Sequence, residues 1–300
     1  MNKKSANKTS SPAFVKSSKT RSRRNFLMVM LTFLTILSSA TVVTAQKQPT
    51  PLVRAHAHND YEHARPLYDA LDHGFSSVEV DVYLVNGQLL VAHDPTQLQP
   101  DRTLQSLYLN PLRQRVRQNE GRVYSRGGLE FTLLIDVKTE PITTYVALRD
   151  VLKQYKDILT TFSSENRVPK AVIAIVSGNR AQAVMASEAT RYAAMDGRLM
   201  DLNSNTSTNL IPLISDSWAN NFTWRGEGSI SSEERQKLRQ FVNAAHTQGR
   251  RIRFYATPDN IPMWRELLTA DVDLINTDNL AGLQQFLLQE DPLVRSNPTK

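Results

Sequence analysis

The sequence predicts an α/β fold, a closed TIM-type (β/α)8 barrel, on three observations. Short apolar segments rich in β-branched residues alternate with amphipathic helical runs. Eight such segments can be counted. The chain left after a predicted N-terminal cleavage has 255 residues, close to the ~250 typical of such a barrel. Strands alternating with helices imply a parallel sheet, because each crossover needs a helix to return the chain.

The N-terminal segment, residues 1–45, reads as an export signal. Eight of the 36 basic residues and none of the 29 acids lie there. They precede Phe26–Val43, eighteen residues without a charge, and then the small-residue site Val43-Thr44-Ala45. Basic, apolar, then small is the order of a secretory signal. Ser22-Arg23-Arg24-Asn25-Phe26-Leu27 has the form of a twin-arginine signal. An uncleaved membrane anchor is the alternative, since eighteen apolar residues can just span a bilayer. The protein is therefore expected to be exported, periplasmic or secreted, or anchored if the signal is retained.

Removing that segment changes the meaning of the +7 net charge. The remainder holds 28 basic and 29 acidic residues, a net charge of −1. Composition thus gives no support for a nucleic-acid partner. Cysteine is absent, which excludes disulfides, thiolate metal sites and a cysteine nucleophile.

The expected strands are Leu52–His58, Ser77–Leu84, Phe131–Lys138, Ala171–Val176, Arg191–Met195, Ile211–Asp216, Arg251–Ala256 and Asp273–Thr277. Helical runs cover Ala64–Leu71, Pro111–Asn119 and Thr143–Lys156. Ser231 with Glu234 three residues on forms a capping box, and Leu238, Phe241, Val242 and Ala245 form the apolar stripe that follows. Asp259 is read as the cap of the next helix, with Pro262 in its first turn. Asp196-Gly197 reads as a turn. The barrel domain is expected over residues 46–292, with 293–300 a flexible tail.

Active sites of such barrels lie at the C-terminal strand ends. Polar residues collect there on the first three strands. Alternation puts Arg54, His56 and His58 on one face of the first. Glu79 and Asp81 share a face of the second, ~7 Å apart, where they repel unless a cation lies between them. The extension Gly87–Ala92 delivers His93-Asp94, and the third strand puts Asp136 and Lys138 on one face. Three inward carboxylates, a lysine and nearby histidines would be costly as core residues. They make sense as a metal site with acid–base partners.

Ala55-His56, Glu79-Val80-Asp81, His93-Asp94 and Asp136-Val137-Lys138 together resemble the glycerophosphodiester phosphodiesterases, within the phosphatidylinositol phospholipase C-like superfamily. Asp rather than Glu on the third strand is the variant shared with sphingomyelinase-D-like phospholipases. A closer branch, the altered-inheritance-of-mitochondria proteins and their bacterial relatives, is similar through His58-Asn59-Asp60-Tyr61, Arg65-Pro66-Leu67, Arg102-Thr103-Leu104, Leu213-Ile214-Ser215-Asp216, Arg253–Asp259 and Asp273–Asp278. The resemblance runs over residues 52–287.

The resemblance implies a phosphodiesterase barrel in which Glu79, Asp81 and Asp136 hold Mg2+ or Ca2+. His56 would act as the base and His93 as the acid on the leaving alkoxide. Lys138 would add positive charge at the phosphate, and His58 would contact or support it. Tyr255 stands where related enzymes often carry Trp and would line the mouth. The expected partner is a small-molecule or lipid phosphodiester, with contact to a membrane surface possible in principle and no nucleic acid. Two departures qualify the match. Ala57-His58-Asn59-Asp60 stands where glycerophosphodiesterases usually have Arg-Gly and a Pro-Glu-Asn-Thr segment, so that substrate specificity is open. The same stretch leaves the catalytic histidine open between His56 and His58.

Two rivals remain at this stage. His56-x-His58 also opens zinc amidohydrolases, but those need later histidine ligands, and none lies between His93 and the helical His246. A non-catalytic exported barrel binding phosphate or a lipid headgroup would keep the fold without needing His56 and His93. Trp218, Phe222 and Trp224 would form either an apolar lip or a cover on the barrel rim.

Overall fold

A computed structural model describes residues 49–163 and 166–295. The expected export segment lies outside the described residues. In chain order the strands are β1 (Leu52–Ala57), β2 (Phe75–Val85), β3 (Gln88–Val91), β4 (Phe131–Val137), β5 (Thr161–Phe162), β6 (Arg167–Val168), β7 (Val172–Gly178), β8 (Ala194–Gly197), β9 (Leu213–Ser217), β10 (Arg251–Tyr255) and β11 (Leu274–Thr277).

Eight of these close a parallel barrel in the order β1-β11-β10-β9-β8-β7-β4-β2, and β2 pairs back onto β1. The remaining three are additions. β3 folds back antiparallel on β2, and β5 with β6 forms a separate two-stranded ribbon. The eight barrel strands fall where the eight apolar segments were expected, shifted by at most a few residues at their ends.

Strand register explains where the site forms. Inward residues stack in layers, because neighbouring strands place the same parity on the same face. In one layer Glu79 stands opposite Leu134, Leu134 opposite Ile175, and Ile175 opposite Ala194. One step toward the C-terminal strand ends, Asp81 faces Asp136 and Asp136 faces Ser177. Leu134, Phe162, Ile173, Ile175, Ala194, Leu213 and Leu274 make an apolar plug inside the barrel. Above it the lining turns ionisable. The larger core lies between the strands and the outer helices. At roughly 25 cal/mol per Å2, each fully buried Leu, Ile or Phe in it contributes about 1.5–3 kcal/mol.

Helix ends follow their local chemistry. Ser231 caps the helix Ser232–Thr247 by accepting from the Glu234 N–H, and Leu238, Val242 and Ala245 are its buried stripe. The Glu234 carboxylate turns instead to the backbone N–H groups of Thr223 and Trp224. Asn260, not Asp259, caps the helix Ile261–Thr269. Asp259 is occupied elsewhere, accepting from Thr277, Asp278, Asn279 and the Trp264 indole. The first helix spans Tyr68–Asp72, preceded by a 3-10 turn at Asp60–Glu62 rather than starting at Ala64.

The fifth barrel strand departs most from expectation. It spans Ala194–Gly197, so Asp196-Gly197 is not a turn, and Arg191 instead forms an isolated bridge with Phe162. Asp196 is fully buried, yet its carboxylate accepts from Ser177 Oγ at 2.8 Å and Arg198 Nη1 at 3.0 Å. Gly197 is needed because a Cβ there would meet Ile211 and Ile214 at 2.6 and 2.7 Å. Trp218 and Phe222 are buried and stacked at 4.1 Å, so this cluster covers the rim rather than offering an apolar lip. The helical turn Pro292–Arg295 takes in the first three residues of the expected tail, 293–300, and 296–300 lie outside the described residues.

Candidate active site

A cavity of about 310 Å3 opens at the C-terminal end of the barrel. Seven of the eight residues singled out in the sequence line it: His58, Glu79, Asp81, His93, Asp136, Lys138 and Tyr255. Four residues that sequence reasoning did not assign to the site join them: Asn59, Ser177, Arg198 and Arg253. Arg253 was legible, since alternation along β10 places it on the same face as Tyr255.

Glu79, Asp81 and Asp136 offer oxygen atoms that all lie within 4.8 Å of one another. Oxygen ligands of Mg2+ or Ca2+ sit ~2.0–2.6 Å from the ion, so one ion fits between them. One Asp81 oxygen, Oδ1, is buried without a hydrogen-bond partner. Hard donors and an orphaned carboxylate oxygen fit a hard divalent cation. Lys138 Nζ meanwhile bridges Asp81 Oδ2 at 3.1 Å and Asp136 Oδ1 at 3.2 Å. Gly178, at φ +66°, makes room for this cluster, because a Cβ there would fall 2.1 Å from Asp136 Oδ1.

Burial is the largest single influence on each of the three carboxylates. Burial pushes Asp81 up to about 6, against the pull of Lys138 and Tyr61. Burial also raises Asp136. Glu79 behaves oppositely. Burial works against its ionisation, but the Arg253 guanidinium outweighs it and holds the carboxyl well below its usual range. Arg253 Nη1 lies 2.7 Å from Glu79 Oε2, both side chains almost fully enclosed.

The two first-strand histidines separate sharply. His56 is fully buried and lies beneath the cavity rather than lining it. Its Nε2 is 2.6 Å from Arg253 Nη1, and its Nδ1 is 2.6 Å from Ser77 Oγ. Nε2 also lies 3.2 Å from Glu79 Oε2; a guanidinium only donates, so the shorter contact makes Nε2 the acceptor from Arg253 and puts the ring proton on Nδ1. Burial and the Arg253 charge push His56 down to about 4, which fits a neutral ring. His58 lines the cavity, and its Nδ1 lies 2.8 Å from Asp278 Oδ1. Burial opposes its charging, but the Asp278 hydrogen bond and Glu79 raise it above the ordinary histidine value.

On the other side, the β2–β3 hairpin delivers His93. Tyr83 OH donates to the His93 carbonyl at 3.0 Å, fixing the backbone. Tyr61 is 3 % exposed. Its hydroxyl donates to Asp81 Oδ2 at 2.7 Å and stands 3.1 Å from His93 Nδ1. With its single proton on a carboxylate, Tyr61 can only accept from His93. That fixes the proton on Nδ1 and leaves Nε2 as the nitrogen that Tyr61 does not engage.

The sequence profile of the AIM6-like phosphodiesterase domain matches residues 43–196. The chain is 29% identical over 279 residues to an altered inheritance of mitochondria protein 6 homolog of Arthroderma benhamiae, covering 82% of this chain and 86% of that one. It is 28% identical over 270 residues to altered inheritance of mitochondria protein 6 of Eremothecium gossypii, covering 78% and 69%. Among solved structures it is similar to glycerophosphodiester phosphodiesterases of Parabacteroides distasonis and Agrobacterium tumefaciens. Those matches have TM-scores of 0.47 and 0.44 at 15% identity, with 79% and 78% of this chain covered and 98% and 99% of the others. A barrel whose first four parallel strands bring the acidic trio and two histidines to one mouth is thus matched in sequence over that same half, and the chain belongs to the AIM6-like phosphodiesterase domain family.

Proposed function

We propose that the protein is a divalent-metal-dependent phosphoric diester hydrolase acting on a glycerophosphodiester or phospholipid-like substrate. The observation that carries the reading is one cavity lined by three clustered carboxylates and two histidines. Glu79, Asp81 and Asp136 would hold Mg2+ or Ca2+. When bound, that ion supplies charge neutralisation and orientation for a non-bridging phosphate oxygen. Lys138 and Arg198 add positive charge on the cavity wall.

Acid–base work falls to His58 and His93. The role first expected of His56 moves to His58, because Arg253 occupies the only free lone pair on the His56 ring. His58, oriented by Asp278, takes the proton of the attacking hydroxyl. The new P–O bond forms as the bond to the leaving alcohol breaks. The leaving oxygen takes the bonding pair and receives a proton from His93 Nε2. His56 acts at one remove, holding Arg253 against Glu79.

The test is turnover of bis(p-nitrophenyl) phosphate with Mg2+ or Ca2+, with and without chelator. Chelator-sensitive turnover supports the reading, with His58→Ala and His93→Ala each lowering kcat by about 100-fold or more. No chelator-sensitive turnover on that diester, on glycerophosphodiesters or on lysophospholipids would leave a binding barrel as the better reading.

A further inference from the structure

A second cavity, about 380 Å3, adjoins the first at His93. His93 is the one residue lining both it and the central cavity. Its other walls are largely polar: Glu62, Gln97, Gln99 and Arg102, with the Tyr61 side and the hairpin residues Val91 and Ala92. Volumes of ~300–1,000 Å3 are those of small-molecule sites, so this one holds a moiety the size of glycerol or a single sugar ring.

Several of those walls are held in place. The Arg102 carbonyl accepts from the Val91 N–H at 2.8 Å, and Thr103 bridges Leu90, so residues 102–103 dock along the edge of β3. The Arg102 guanidinium donates to the Tyr61 carbonyl at 2.7 Å. Asp94 caps the turn Pro95–Gln97, and Gln97 Oε1 accepts from the Asp94 N–H at 3.2 Å. That leaves the Gln97 amide with its two N–H donors for other partners. Glu62 supplies an acceptor, Arg102 further donors, and Gln99 both.

We infer that this cavity is the subsite for the leaving alcohol, and that it takes a polyol, a glycerol- or sugar-sized group bearing several hydroxyls. The inference rests on the phosphodiesterase reading above. His93 protonates the departing oxygen, so the group attached to that oxygen lies on the His93 side of the phosphate. A hydroxylated group meets donors and acceptors there in alternation. An alkyl chain in the same place would strip water from Glu62 and Arg102 without replacing it. Any acyl portion of the substrate then belongs to the retained half, on the side of His58 and Tyr255.

The experiment uses the full chain with saturating Mg2+ or Ca2+ and two diesters that share one retained half. One releases glycerol, the other n-propanol. Comparing the ratio of their kcat/KM values in wild type and in variants cancels their intrinsic reactivity. Gln99→Leu combined with Glu62→Leu, both exposed positions, lowers the glycerol-over-propyl ratio by about 10-fold. A ratio changed by less than 2-fold overturns the subsite. An independent arm adds glycerol or myo-inositol and follows the Gln97 and Gln99 side-chain amides by NMR. Shifts in those amides in a protein that hydrolyses no diester would sink the phosphodiesterase reading and keep a polyol site. Turnover without any such shift would keep the enzyme and discard the polyol site.

Discussion

Removing one oxygen atom tests the hydrogen-bond chain that joins the acidic cluster to the proposed acid. Tyr61→Phe keeps a buried ring of nearly the same shape, so the packing around it persists. It removes the 2.7 Å bond to Asp81 and the 3.1 Å contact to His93 Nδ1. A hydrogen bond to a charged group contributes ~1.5–3 kcal/mol and one between neutral groups ~0.5–1.5. Part of that is felt equally in ground and transition states. The part that holds His93 in one tautomer and one orientation is felt only as the leaving oxygen is protonated. A loss of ~1.4–2.7 kcal/mol corresponds to a kcat about 10- to 100-fold lower. The assay is diester turnover at saturating metal, together with the 15N shifts of His93. In wild type these should report the proton on Nδ1; in the variant the two tautomers should mix. In a His93→Ala background Tyr61→Phe should cost much less, because the two residues act as a unit. A variant within 2-fold of wild type, with an unchanged His93 spectrum, would refute the reasoning.

Three further outcomes are expected. Asp60 is fully buried and pushed up to about 6 by burial, although Leu67 N–H and Tyr108 OH both donate to its Oδ2. Its folded value lies about 2 units above the unfolded one of ~3.9, so it contributes about 3 kcal/mol that is complete below pH 4 and lost as pH rises through 6. Asp60→Asn keeps one oxygen for both donors and cannot ionise; its urea midpoint should therefore lose less between pH 4 and pH 8 than that of wild type, and parallel curves would count against this account. Adding Mg2+ or Ca2+ at ~100 times its dissociation constant should stabilise by ~2.7 kcal/mol, a thermal midpoint rise of about 5–10 °C that Asp136→Asn removes; equal rises in both proteins would place the ion elsewhere. Export with cleavage after Ala45 gives a mature chain beginning at Gln46, and Edman sequencing that returned Met1 would contradict it.

The barrel was legible because buried parallel strands are written as short apolar runs whose period does not depend on distant context. The weak fifth strand shows the limit. Asp196-Gly197 carries turn chemistry in sequence, and only the approach of Ser177, Arg198, Ile211 and Ile214 makes a strand of it. The acidic trio was legible for the same reason that it is strained: carboxylates on an inward strand face have few benign explanations. What alternation could not decide was depth. His56 and His58 share a face and differ by one layer. The layer is set by the register of β1 against β2 and β11, where His56 stands beside Ser77 and Asn276. Register is a property of paired strands and is not visible in either strand alone. Asp259 failed as a cap on similar grounds, since its partners at Thr277–Asn279 come from a strand end almost twenty residues away.

The layering also explains why a fully buried histidine sits so close to the acidic cluster. Arg253 is nearly fully enclosed and donates from Nη1 to both Glu79 and His56. A buried guanidinium with no fixed partner would swing toward whichever carboxylate was nearest. Held by a neutral imidazole on one side and Glu79 on the other, it keeps Glu79 ionised at any physiological pH, while Asp81 and Asp136 are pushed the other way. The cluster is therefore asymmetric before any ion arrives: one committed carboxylate at the floor and two reluctant ones at the wall, bridged by Lys138. A cation held there would take the place of the lysine bridge and favour the ionised form of the two reluctant groups. Arg253, fixed from below by His56, would still hold Glu79 Oε2.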